Sequence, residues 1–133
     1  MTNLSLADLR DLARGVGFPE ATLDTAAAVA MAESRGNPSA SLVVTAVQAA
    51  TWNQEHPTGP RHGPERSFGL WQVNTVAHPE YDESKLLTPD YAARAAFVLS
   101  QGGLNWHPWS TFTAPATDPN SYLHWMPGGV SYA

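Results

Sequence analysis

From Ala26 to Ala32 the chain runs through seven consecutive apolar residues before it meets Glu33. Gly36-Asn37-Pro38 follows almost at once. Alanine is the strongest helix former, and Leu23, Ala26, Ala27, Ala30 and Met31 recur at helical spacing. A helix is therefore predicted here, with Pro19 suited to its first turn and the Gly-Asn-Pro triplet as its stop. A helix this apolar has to be covered by other elements, and its last turn carries a carboxylate.

Two further helices announce themselves by their caps. Ser5-Leu6-Ala7-Asp8 has the form of a capping box, and Leu6, Leu9, Ala13 and Val16 follow at helical spacing as far as Gly15 to Gly17. Later, Thr88 suits an N-cap, with Pro89 at the first helical position and Asp90 in the first turn. Ala92, Ala95, Ala96 and Leu99 form its expected buried face, and Gly102 its stop. Residues 39–66 are mixed. Leu42, Val43, Val44, Thr45 and Val47 favour a strand, whereas Ala46, Ala49 and Ala50 favour a helix. Asn53 to Pro64, with three prolines and two glycines, is expected to be a long loop. The last twenty or so residues, 113–133, are expected to be extended and to pack on the body through Tyr122, Trp125 and Tyr132.

Several function classes fall away on composition. The chain has no cysteine, which excludes thiol chemistry and disulfides. Seven Lys and Arg against a formal charge of −5 do not make a phosphate-binding surface, so no nucleic-acid partner is expected. No apolar run approaches the roughly 20 residues needed to cross a bilayer, so no membrane partner is expected either. Met1 to Ser5 shows no basic region leading into an apolar stretch, so no secretory signal is expected. His56, His62, His78, His107 and His124 lack zinc-ligand spacing, and neither a metal nor a cofactor is expected.

Glu33 is the carboxylate with chemical promise. Burial at the end of an apolar helix, together with the negative end of the helix dipole, disfavours its ionised form. A carboxylic acid held protonated near neutral pH can donate to the leaving oxygen of a glycosidic bond. By position alone, a glutamate near a helix end is ordinarily a solvated surface residue.

Its neighbours decide between these readings. Glu33-Ser34-Arg35-Gly36-Asn37-Pro38 is followed by Ser67-Phe68-Gly69-Leu70-Trp71-Gln72-Val73-Asn74. Together they resemble the Glu-Ser and Gly-Leu-x-Gln motifs of soluble lytic transglycosylases and goose-type lysozymes. Pro89-Asp90-Tyr91-Ala92-Ala93-Arg94-Ala95-Ala96 and Gly102-Gly103-Leu104-Asn105-Trp106-His107-Pro108-Trp109-Ser110 resemble a branch of that group found in phage and actinobacterial proteins. The resemblance spans about residue 5 to about residue 112.

It implies a lysozyme-like α+β fold, predominantly α, and the length fits one domain over residues 1–133. A small β or loop lobe would come from residues 39–66, with a groove between the lobes. The implied substrate is the β-1,4 bond between N-acetylmuramic acid and N-acetylglucosamine in peptidoglycan glycan strands. Glu33 matches the catalytic acid/base, and Ser34 beside it suits helix packing. Gly69 lets backbone approach sugar. Gln72 offers a donor and an acceptor to the sugar or, alternatively, to the loop backbone. Trp71 suits either substrate or core. Trp106 and Trp109 suit a groove wall of aromatic faces, unless one of them plugs the core. Ser67 stands where several relatives carry an acid, and Ala92-Ala93-Arg94 lacks an amide found in the family.

With Glu33 alone, the expected product is a 1,6-anhydro sugar. A hydrolase would need a second carboxylate, for which Glu65, and behind it Asp82 and Asp90, are the candidates. A non-catalytic wall-binding or structural module is the other class; Glu33 and Gln72 argue against it, since a structural module needs neither. The acidic charge gives little attraction to an anionic wall. The chain is accordingly expected to act at the bacterial cell wall, carried there by a phage tail, a secretion assembly or a similar machine.

Overall fold

A computed structural model describes residues 2–128; Tyr132 lies outside them. Helix α1 (Leu6–Gly15) starts as its capping box predicts: the Ser5 hydroxyl accepts from the Asp8 N–H, and the Asp8 carboxylate accepts from the Ser5 N–H. Helix α2 (Leu23–Ser34) begins later than expected, because Pro19 caps a separate 3-10 turn, Glu20–Thr22.

More than one face of α2 is covered. Ala26, Ala27, Ala28, Val29 and Ala30 are all 0% exposed, so the helix is enclosed on every side. Alanine makes this possible, because its short side chain lets neighbouring elements approach from all directions. Around α2 pack α1, the short helix α5 (Ser110–Thr113) and a 3-10 turn, Tyr122–Trp125. Part of the segment expected to be extended is thus coiled against the body. There Tyr122 stacks on Phe112, and the Arg35 guanidinium lies 5.1 Å from the Trp125 ring.

The mixed region resolves residue by residue. Its β-branched part forms β1 (Ser41–Val44), and its alanines fall in α3 (Ala46–Glu55), capped reciprocally by Thr45 and Gln48. The long loop therefore starts at His56 rather than Asn53. Strand β1 pairs antiparallel with β2 (Glu65–Phe68), which pairs with β3 (Val73–Asn74), giving the order β1-β2-β3. Among the described residues this three-stranded sheet is small against the helices, and the architecture is α+β, predominantly α.

Helix α4 (Pro89–Leu99) has Thr88 at its N-cap and Pro89 in its first turn, although the Thr88 side chain makes no capping bond. Its Ala92, Ala93 and Ala96 join the main core with α1, α2, Leu70 and Trp71. On its other side Ala95 joins Val73 and Leu86 beneath the sheet. Helix α4 thereby fixes the sheet relative to α2, which places Glu33 opposite β2.

Candidate active site

Helix α2 ends so that Glu33 is delivered into a cleft. Arg35 adopts a left-handed conformation, φ 57°, as does Gly36, φ 77°. A Cβ on Gly36 would come within 2.1 Å of the Leu4 carbonyl oxygen, so only glycine passes under the N-terminal segment. Ser34 completes this end of the helix, donating to the Ala30 carbonyl and accepting from the Gly36 N–H.

Glu33 lines a cleft of about 270 Å³. One wall is the sheet and its β2–β3 turn, carrying Glu65, Ser67, Gln72, Val73 and Asn74. His78, in the loop after β3, extends that wall, while Pro108, Trp109 and Ser110 close the opposite side. Burial raises the Glu33 carboxyl from an ordinary 4.5 to about 7, against the lowering effect of the Thr111 hydroxyl. The nearby negative charge of Glu65 contributes to that rise, and the Thr111 backbone works against it. The Thr111 hydroxyl donates to Glu33 Oε2 at 2.7 Å.

Of the three candidate second carboxylates, only Glu65 lines this cleft. It accepts a 2.7 Å bond from the Ser67 hydroxyl. Asp82 is held in a turn of its own, accepting from the Ser84 hydroxyl and from the Ser84 and Lys85 amides. Asp90 serves the first turn of α4.

The β2–β3 turn is built tightly. The Gln72 N–H donates to the Gly69 carbonyl, and the Gly69 N–H to Ala40. Gln72 itself has a positive φ of 48°. Its side-chain Nε2 holds that conformation by donating to both Ala40 and Gly69 carbonyls. The same motif thus supplies a cleft wall and the bonds that keep it in shape.

A family model described as a lysozyme-like domain matches residues 10–111. The chain belongs to the lysozyme-like domain family. The matched span includes Glu33, the sheet, the β2–β3 turn and Thr111. No curated protein and no solved structure gives a significant match.

Within this lysozyme-like domain the structure corrects several expected substrate contacts. Trp71 is fully buried, and its Nε1 donates to the Ala26 carbonyl, so it belongs to the core. Trp106 is 3% exposed, stacks on Phe18 and donates to the Gly103 carbonyl; it is the indole that plugs the core rather than a groove wall. Gly69 is needed for close approach, but to protein: with φ +84°, a Cβ there would lie 2.1 Å from the Leu86 carbonyl oxygen. Ser67 lines the cleft but is only 1% exposed, and its hydroxyl donates to Glu65, so the structure gives it a part in positioning that carboxylate. Trp109 is 6% exposed, lines the cleft with one edge and bonds the Trp71 carbonyl with its Nε1. Gln72 lines the cleft with its amide nitrogen already engaged.

Thr111 and His78 carry no mark in the sequence. Neither has a periodicity or a charge pattern to single it out. Thr111 lies one residue past Ser110, the end of the segment whose resemblance pointed to the cleft, and His78 is one of five scattered histidines. Among the described residues no group of three or more His, Asp or Glu side chains is arranged to hold a metal ion.

Proposed function

We propose that this lysozyme-like domain cleaves the β-1,4 bond between N-acetylmuramic acid and N-acetylglucosamine in peptidoglycan glycan strands, with Glu33 as the proton donor. The observation that carries this reading is Glu33 itself: a carboxyl raised to about 7 by burial, facing a cleft. Near neutral pH much of it is protonated, the state required to protonate a leaving oxygen. The Gln72 carbonyl oxygen is the part of that amide available to a sugar N–H or hydroxyl. Delivery to the wall by a larger assembly is part of the proposal, since the chain's −5 charge offers no attraction to an anionic polymer.

In the transglycosylase course, Glu33 gives its proton to the bridging oxygen as the C1–O bond breaks, and the bonding pair stays on that oxygen. The 6-hydroxyl of the same muramic acid then bonds to C1 and returns its proton to the Glu33 carboxylate. No water is consumed, and the product is a 1,6-anhydro sugar.

One observation favours a second course. Glu65 lies in the same cleft, close enough for its charge to act on Glu33. An ionised Glu65 could take a proton from water as the water oxygen bonds to C1, leaving a reducing end. Mass spectrometry of muropeptides released from purified peptidoglycan tests both the activity and its course. Anhydro products support Glu33 acting alone, reducing ends support the pair, and no release by folded protein defeats the proposal.

A further inference from the structure

We propose that Thr111 is a positioning residue that holds Glu33 Oε2 as a fixed acceptor, so that the transferable proton rides on Oε1; this rests on Glu33 being the proton donor. Thr111 lies in α5, 78 residues from Glu33 in sequence, and is only 7% exposed. Its hydroxyl donates to Oε2 at 2.7 Å, and its backbone N–H also acts on the carboxyl. An oxygen that already accepts from a buried, fixed hydroxyl is a poorer seat for the acid proton than the oxygen beside it.

The acid proton is accordingly placed on the other oxygen, Oε1. Rotation of the carboxyl, which would present either oxygen to the bridging atom, would break the Thr111 bond to Oε2. A Thr hydroxyl suits this task, because branching at its Cβ restricts the side chain to few rotamers. The groups facing Glu33 across the cleft are Glu65 on β2 and His78 after β3. The residues from Pro108 to Ser110 on the α5 side bring no charge. Thr111 is thus the group directly bonded to the acid, and it stabilises the ionised form.

The test compares wild type with Thr111→Val and Thr111→Ser by the pH dependence of kcat on purified peptidoglycan, with a ¹³C titration of the Glu33 carboxyl on the same samples. Thr111→Val keeps the shape and removes the donor. Its carboxyl titration and the alkaline limb of kcat are expected to move up by about one pH unit, with kcat at the optimum reduced about tenfold. Thr111→Ser should restore both. An unmoved titration in Thr111→Val, with activity reduced equally at all pH, would overturn the proposal and leave Thr111 a packing residue. Should Thr111→Val melt below the assay temperature, Thr111→Cys keeps the size with a weak donor and must move the titration the same way. The carboxyl titration reads Thr111 even if wild type releases no muropeptides, so the two readings fail separately.

Discussion

The indole Nε1 of Trp109 donates to the backbone carbonyl of Trp71 at 2.8 Å, and the Trp71 indole in turn donates to the Ala26 carbonyl at 3.0 Å. Two tryptophans thus link the closing wall of the cleft to the β2–β3 turn, and that turn to the buried helix that ends in Glu33. Each bond joins segments distant in sequence, and each lies where water cannot replace it. The pair thereby ties the closing wall and the turn to the helix that carries Glu33.

Trp71→Ala should therefore act on stability. Emptying a fully buried indole site typically costs about 3–5 kcal/mol. Trp109→Phe keeps the ring but leaves the Trp71 carbonyl unpaired, at about 1–3 kcal/mol. Chemical denaturation measures both. A Trp71→Ala protein of wild-type stability whose KM alone has risen would return Trp71 to the substrate.

Gly69→Ala tests the corrected role of that glycine. Its positive φ disfavours any Cβ by about 1–2 kcal/mol, and the carbonyl of Leu86 stands in the way. Because Gln72 is bonded to Gly69, the displaced turn should carry the cleft wall with it. Lower Tm and lower kcat are expected together. A variant with unchanged Tm and a raised KM would restore the contact with sugar.

Helix caps and the apolar run were legible because they act locally: Ser5 and Asp8 lie three residues apart, and Ala26 to Ala30 declare burial by composition. Glu33 was legible through its motif. The roles of Trp71, Trp106, Ser67 and Gly69 were not, because a motif marks residues that matter without saying whether they serve the substrate or the architecture. Trp71 and Trp109 both sit in motif segments and both join the main core, yet of the two only Trp109 also lines the cleft. Thr111 was out of reach for another reason. Its bond to Glu33 spans 78 positions and depends on how a four-residue helix docks.

Glu65→Gln separates charge from chemistry. The negative charge of Glu65 raises the Glu33 carboxyl, so removing it should lower that value. The alkaline limb of activity then moves to lower pH whichever course the reaction takes. If Glu33 works alone, kcat at pH 5 should stay within about threefold of wild type and the products should remain anhydro. A loss of about 10²-fold or more, with reducing ends from wild type, assigns Glu65 as the base.

Glu33→Gln should separate activity from stability in opposite directions. Glutamine keeps the shape of the side chain and can turn its oxygen to the Thr111 hydroxyl, but it has no proton to give. General acid catalysis is typically worth about 10²–10⁴-fold, and turbidity clearance should fall by that factor. Retention of more than about a tenth of wild-type clearance would remove Glu33 from the acid role. Stability follows from the raised carboxyl. Between its ordinary 4.5 and about 7, folded protein holds a proton that the unfolded chain has released. Wild-type stability must therefore fall as pH rises through that window, and the loss is complete above it. Each pH unit of the window weakens the fold by about 1.4 kcal/mol, so the whole loss is on the order of a few kcal/mol. Glutamine cannot ionise and escapes it. Melting curves of the two proteins should nearly coincide at pH 4 and diverge at pH 8, with Glu33→Gln melting higher. Equal melting temperatures at pH 8 would mean that ionised Glu33 is well solvated, and the physical basis for its role as an acid would be lost.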